Sequence, residues 1–187
     1  LVLGNPDDEH LMKRIGGYYG MSGGSPVLFV VAWPTPENLE QIAYCAVHEM
    51  HHYIRHANVE WNPATVTVGD HVVSEGLAEA FVREVGGPAA VGAYTRAVTG
   101  EALDDAYATI AAAIDLQGMQ HLTPYVLGDA TAEAMGQTPV GVPDMAGYAV
   151  GLRIVDAHLA KTGLTAAQST VLPAAEILAN AGVTTAG

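Results

Sequence analysis

The chain reads as an α+β protein, a small N-terminal β-sheet followed by a mostly helical body. Three observations predict this class. Residues 1–34 hold short extended runs separated by glycine turns. From Pro36 onward the apolar residues recur at helical spacing. Glycine and proline breakers then divide the remainder into segments of helix length. At 187 residues and 50% hydrophobic content the chain is long and apolar enough for one packed domain over 1–187.

Each element has a local reason. Leu1-Val2-Leu3 opens as a short strand, a short helix fits Asp7–Ile15, and Gly16-Gly17 stops it. Ser22-Gly23-Gly24-Ser25-Pro26 is a turn, and Val27–Ala32 is a β-branched and aromatic run of strand length. A first long helix is expected over Pro36–Ala57, with Thr35 or Pro36 at its start, followed by a loop over Asn58–Val68. A second covers Asp70–Val85 and ends at Gly86-Gly87-Pro88. Shorter helices fit Ala89–Val98 and Glu101–Leu116, and Gly118–Ala146 reads as loop. Helices over Gly147–Lys161 and Pro173–Ala181 complete the chain.

Charge and cysteine content exclude several functions. Acidic residues outnumber basic ones 20 to 7, a formal net charge of −13. So few cations cannot track a phosphate backbone, nor hold an anionic membrane surface. The longest apolar stretch, Pro26 to Pro34, is too short to span a bilayer. A single cysteine, Cys45, excludes an intramolecular disulfide and leans towards a reducing compartment such as the cytoplasm. Leu1 is not a methionine, so the N-terminal part of the native chain is expected to be missing, with any targeting segment.

The chemistry lies in the first long helix. Five of the eight histidines fall between positions 48 and 71, around His48-Glu49-Met50-His51-His52, a His-Glu-x-x-His motif. Residues i and i+4 share a helix face, so His48 and His52 can aim both imidazoles at one metal ion. Glu49 sits at the edge of that face, where it can reach the attacking water as a general base without being a ligand. On a helical wheel Leu39, Ile42, Ala43, Ala46, Met50 and Tyr53 gather opposite His48, which predicts that this face meets the core.

A catalytic zinc needs a third protein ligand and an open position. Glu75-Gly76-Leu77-Ala78-Glu79 on the second helix offers Glu75, with 22 residues between it and His52. Gly76 would let the two helices approach closely. Glu79, one turn on, could hydrogen-bond the outer nitrogen of a ligating histidine. Alone, His71, Glu75 and Glu79 would read as a solvated stripe; paired with the upstream motif they read as a ligand and its support.

These motifs resemble the gluzincin metallopeptidases, whose third ligand is a glutamate on a downstream helix. More closely, three segments resemble the YjaZ-like predicted zinc-dependent protease family. They are Ala46–Tyr53, Glu75–Glu79 and Gly147–Val155. The resemblance implies a zincin-like fold, one Zn²⁺ held by His48, His52 and Glu75, Glu79 as support, and a peptide or protein substrate. It also implies that Val27–Ala32 is an edge strand that pairs with extended substrate.

Tyr148 is the first choice to assist the developing oxyanion, against the plainer role of a core tyrosine. Arg153 could hold a substrate carboxylate or form a surface ion pair. His121 and Tyr125 could line the cleft. His51 reads as a neighbour of the site, His56 as cleft lining or an alternative ligand, and Cys45 as a thiol packed behind the site. His10 and His158 are isolated. The leading function is a zinc-dependent metallopeptidase. The competing readings are a non-catalytic metal-binding regulatory or interaction domain, and a structural helical domain without metal.

Overall fold

In a computed structural model of the chain, residues 1–22 and 27–184 are described; Gly23–Pro26, within the expected turn, lie outside them. The fold is α+β. Strands β1 (Val2–Leu3), β2 (Tyr18–Ser22) and β3 (Leu28–Ala32) form one sheet of order β1-β3-β2. β1 runs parallel to β3, and β2 pairs antiparallel with it, Gly20 opposite Val30. The expected edge strand is therefore corrected: Val27–Ala32 contains the central strand, and β2 is the edge that lies against the site helix. Strand order is a long-range property, and the apolar run that makes a good strand says nothing about which neighbour it keeps.

The body consists of α1 (Leu39–Asn58), α2 (Val68–Gly86), α3 (Ala93–Ala97), α4 (Gly100–Ala112), α5 (Asp129–Ala134), α6 (Ala146–Thr162), α7 (Ala166–Ser169) and α8 (Ala174–Asn180). Helix α1 starts three residues later than expected. Asn38 turns the chain there, its Oδ1 accepting from the Thr35 N–H at 2.7 Å while its Nδ2 donates to the Gly16 and Trp33 carbonyls. Helix α2 begins in a reciprocal cap between Thr67 and Asp70. α6 ends at Gly163, whose φ of 71° is the left-handed conformation that glycine adopts without strain.

Two regions depart from expectation. The segment 118–146 is not simply loop: it holds helical turns over Met119–His121 and Thr123–Leu127 and then α5. Its glycines serve as punctuation between short turns, which composition alone does not distinguish from loop. The expected helix over Asp7–Ile15 reduces to a single turn, His10–Arg14.

The core is built by α2 and α6 with α4 and α8 packed on them, and contains Val72, Leu77, Ile110, Val150, Ile154 and Ile177. A Cβ on Gly76 would lie 2.1 Å from the Gly151 carbonyl carbon, and one on Gly151 2.2 Å from the Val72 oxygen. The close approach that Gly76 permits is thus between α2 and α6, not between α2 and α1 as expected. It matters to the site because Tyr148 lies one turn before Gly151.

Helix α1 is turned the other way from the wheel. Its buried residues are His48, Glu49, His51, His52 and Arg55, whereas Leu39 is 62% exposed and Met50 and Tyr53 about 40%. Hydrogen-bond partners hold the polar face inward. Arg55 Nη1 donates to the Thr170 and Leu172 carbonyls, and His51 Nε2 lies 3.2 Å from Thr170 Oγ1. A buried polar face is stabilised where its donors and acceptors are met, and most of the partners here come from α2 and the α7–α8 segment, His51 Nδ1 alone on this face having none among the described residues.

Candidate metal centre

Helices α1 and α2 bring His48, His52 and Glu75 together. His48 Nε2 and His52 Nε2 are 2.9 Å apart, and Glu75 Oε2 lies 3.0 Å from the first and 3.2 Å from the second. Two imidazole nitrogens and one carboxylate oxygen thus converge on one point, a group that could hold a metal ion and whose donors zinc accepts.

The outer nitrogens are also held. His48 Nδ1 is 2.9 Å from Glu79 Oε1, and Glu79 Oε2 accepts from the Gly92 N–H at 2.9 Å. His52 Nδ1 is 3.1 Å from Ser74 Oγ. These contacts fix both rings and leave each Nε2 facing the cluster. Glu79 therefore lies where the sequence places it. Sequence reasoning missed Ser74, which no local pattern sets apart.

Electrostatics follow from this crowding. Burial disfavours the His48 imidazolium, but the Glu75 and Glu79 carboxylates outweigh it and push the pKa up to about 10. Burial works against the Glu75 carboxylate too, yet His52 and His48 hold its pKa far below the usual range. Both shifts come from the same crowding, in which His48 holds its proton between the Glu75 and Glu79 carboxylates.

Glu49 is nearly buried and faces two cavities, one of about 790 Å³ shared with His52, His56 and Glu75, and one of about 420 Å³ towards Tyr18. Strand β2 passes directly over it. A Cβ on Gly20 would lie 2.3 Å from Glu49 Cγ, so the edge strand can approach the carboxylate only because residue 20 is glycine. Sequence reasoning missed this residue, since a single glycine in a strand-like run carries no sign of what it touches. Tyr148 lines both cavities, its ring 6.1 Å from that of His48, and packs edge-on against Tyr94 at 5.0 Å. Burial and nearby carboxylates hold its phenol protonated, well above the ordinary tyrosine pKa.

The remaining candidates separate cleanly. His51 is a buried neighbour, with burial and the adjacent cationic groups lowering its pKa to about 3. His56 stacks on His52 at 6.0 Å and lines the wide cavity, as does His71; neither joins the three converging atoms. Cys45 lines the smaller cavity with a thiol that burial and Glu49 push up to about 12, which keeps it protonated. Arg153 forms the surface ion pair, 2.6 Å from Asp104. His121 and Tyr125 pair with each other, and the cleft wall beside them is formed by Met119, Leu122 and Leu127 instead. No helix among the described residues is long and apolar enough to cross a membrane.

An α+β chain with this two-histidine, one-carboxylate cluster presents side chains that could hold a metal ion beside a wide cavity. Its sequence matches the family model described as predicted Zn-dependent protease (DUF2268) over residues 1–179, and the chain belongs to that family. It is 31% identical over 185 residues to the uncharacterized protein YjfC of Bacillus subtilis (strain 168), covering 98% of this chain and 60% of that protein. No solved structure matches it.

Proposed function

We propose that this chain is a zinc-dependent metallopeptidase of gluzincin type with a zincin-like fold. His48, His52 and Glu75 are the ligands of one Zn²⁺, and Glu49 is the general base. The convergence of His48 Nε2, His52 Nε2 and Glu75 Oε2 within 3.2 Å carries the reading. A zinc ion held there supplies a Lewis acid and lowers the pKa of water.

The protein's own groups do the rest. An extended peptide adds to the free edge of β2, whose Gly20 brings the backbone over Glu49. Glu49 takes a proton from the attacking water and delivers it to the departing amine nitrogen. The Tyr148 phenol, held protonated, donates to the oxygen on which negative charge develops. Glu79 and Ser74 keep the two rings oriented.

The test is Glu49→Gln against a mixture of unstructured peptides. Hydrolysis should fall by about 10²–10⁴-fold, the contribution of a positioned general base, while bound zinc is retained. An unchanged rate would remove Glu49 from the chemistry. A wild type that holds zinc but cleaves no peptide would favour the non-catalytic metal-binding domain.

A further inference from the structure

The two faces of the sheet are finished differently. Residues paired across strands share a face, so the register sets Tyr18, Gly20, Val30 and Ala32 on one side and Val2, Tyr19, Met21, Phe29 and Val31 on the other. The first side meets α1: Tyr18, Val30 and Ala32 are buried, and Gly20 lies against Glu49. The second is open. Val2 is 47% exposed, Tyr19 40%, Met21 55% and Phe29 48%, with Val31 half-buried between them.

A sheet with one face in water alternates apolar residues inward with polar residues outward. Here the alternation fails, because every outward position of the three strands is aliphatic, aromatic or thioether. Val2, Val31 and Tyr19 stand in one cross-strand row and Phe29 and Met21 in the next, so the patch is continuous. On a chain of net charge −13 such a patch is a contact surface.

Size and charge narrow what covers it. A stable interface between separate proteins takes about 20–30 residues a side, far more than five outward positions supply. A second copy would also bring another −13 against the first, and the same charge repels an anionic membrane. A covering element on the same polypeptide needs less area, because its tether gives it a high effective concentration. The chain spans 60% of the length of YjfC, so that relative carries further polypeptide outside the matched part. Val2 belongs to the patch, so residues joined to Leu1 enter beside it.

We propose that in the full-length protein the segment preceding Leu1 folds back over the outer face of the sheet and lays an apolar stripe on Val2, Tyr19, Met21, Phe29 and Val31. Strand β2 is then held from behind, while its free edge and Gly20 stay open to the cleft.

The experiment uses the full-length protein with the photo-reactive residue p-benzoylphenylalanine in place of Phe29. After irradiation, mass spectrometry should find the cross-link within one molecule, on residues preceding Leu1. A cross-link to a second copy, to another protein, or to residues after Gly187 overturns the proposal, as does a full-length protein with nothing before Leu1. If the substituted protein does not fold, the same probe at Met21 reports on the same face. Independently, the thiol of Phe29→Cys in the full-length protein should alkylate about 10²-fold more slowly than in the same protein unfolded in guanidinium. Unsubstituted protein gives the background from Cys45. A rate within a few-fold of the unfolded one leaves the face bare and overturns the proposal. Neither readout needs bound metal, so failure here leaves the metallopeptidase reading untouched.

Discussion

Helices α1 and α2 meet at the same cluster of side chains, yet they are built on opposed plans. α2 buries Val72, Val73, Leu77, Ala78 and Ala80 and packs on α6 at the Gly76–Gly151 crossing. α1 buries His48, Glu49, His51, His52 and Arg55 and leaves Leu39, Met50 and Tyr53 exposed. One helix is held by apolar burial, the other by hydrogen bonds and ion pairs to its neighbours. The difference teaches that the apolar core of this fold lies between α2 and α6, whereas α1 is given over to the buried polar cluster. Polar burial contributes little net stability but punishes the loss of a single partner.

The comparison can be broken most severely at the crossing. In Gly151→Ala the new methyl meets the Val72 carbonyl oxygen, a backbone atom that cannot swing aside. Denaturant unfolding should register a loss of about 3 kcal/mol, the upper part of the range for overpacking. A loss under about 1 kcal/mol would mean that the helices are not so tightly crossed.

A pH series on metal-free protein sharpens the contrast within α1. His51, buried and lowered to about 3, binds protons more readily when unfolded, so stability falls as pH drops from about 6.5 towards 3. His48, raised to about 10, contributes stability that is complete below about 6.5 and is lost as pH rises through its folded value. Thermal melts should therefore peak near neutrality, with the acid limb losing about 3 kcal/mol by pH 4. Zinc should abolish the alkaline limb, because a ligating histidine is already deprotonated. A melting temperature that climbs steadily from pH 6.5 to 10 without metal would contradict this account of His48.

Smaller effects come from the supporting groups. Glu79→Gln keeps the shape but replaces the carboxylate that faces His48 Nδ1, and competition with a chelator should show zinc affinity weakened about 10–100-fold. Smallest of all is Met50→Lys on the exposed side of α1, expected within about 0.5 kcal/mol of wild type. A loss of several kcal/mol there would show that this face is in fact covered.

Much of the plan was legible in the sequence. The bounds of α1, α2 and α6 follow from their periodicity and breakers to within about three residues, and the pair His48 and His52 follows from helical spacing, whereas Glu75 and Glu79 stand out only in company with that motif. What failed is non-local. The wheel correctly separates the two faces of α1 but assumes that the apolar one is buried, an assumption that reverses when the polar face has partners on other elements. The resemblance implies an edge strand at Val27–Ala32, whereas pairing leaves β2 at the edge. Gly20 and Ser74 matter only through what they touch, Glu49 and His52, and no local pattern announces either contact.

The most direct test of the central claim is zinc stoichiometry by elemental analysis, on wild type beside Glu75→Ala and Glu49→Gln, each purified without chelator. The account predicts about one zinc per chain in wild type and in Glu49→Gln, with the metal lost from Glu75→Ala. Zinc bound equally well by Glu75→Ala, or absent from a wild type supplied with it, would contradict the ligand set and the function built on it.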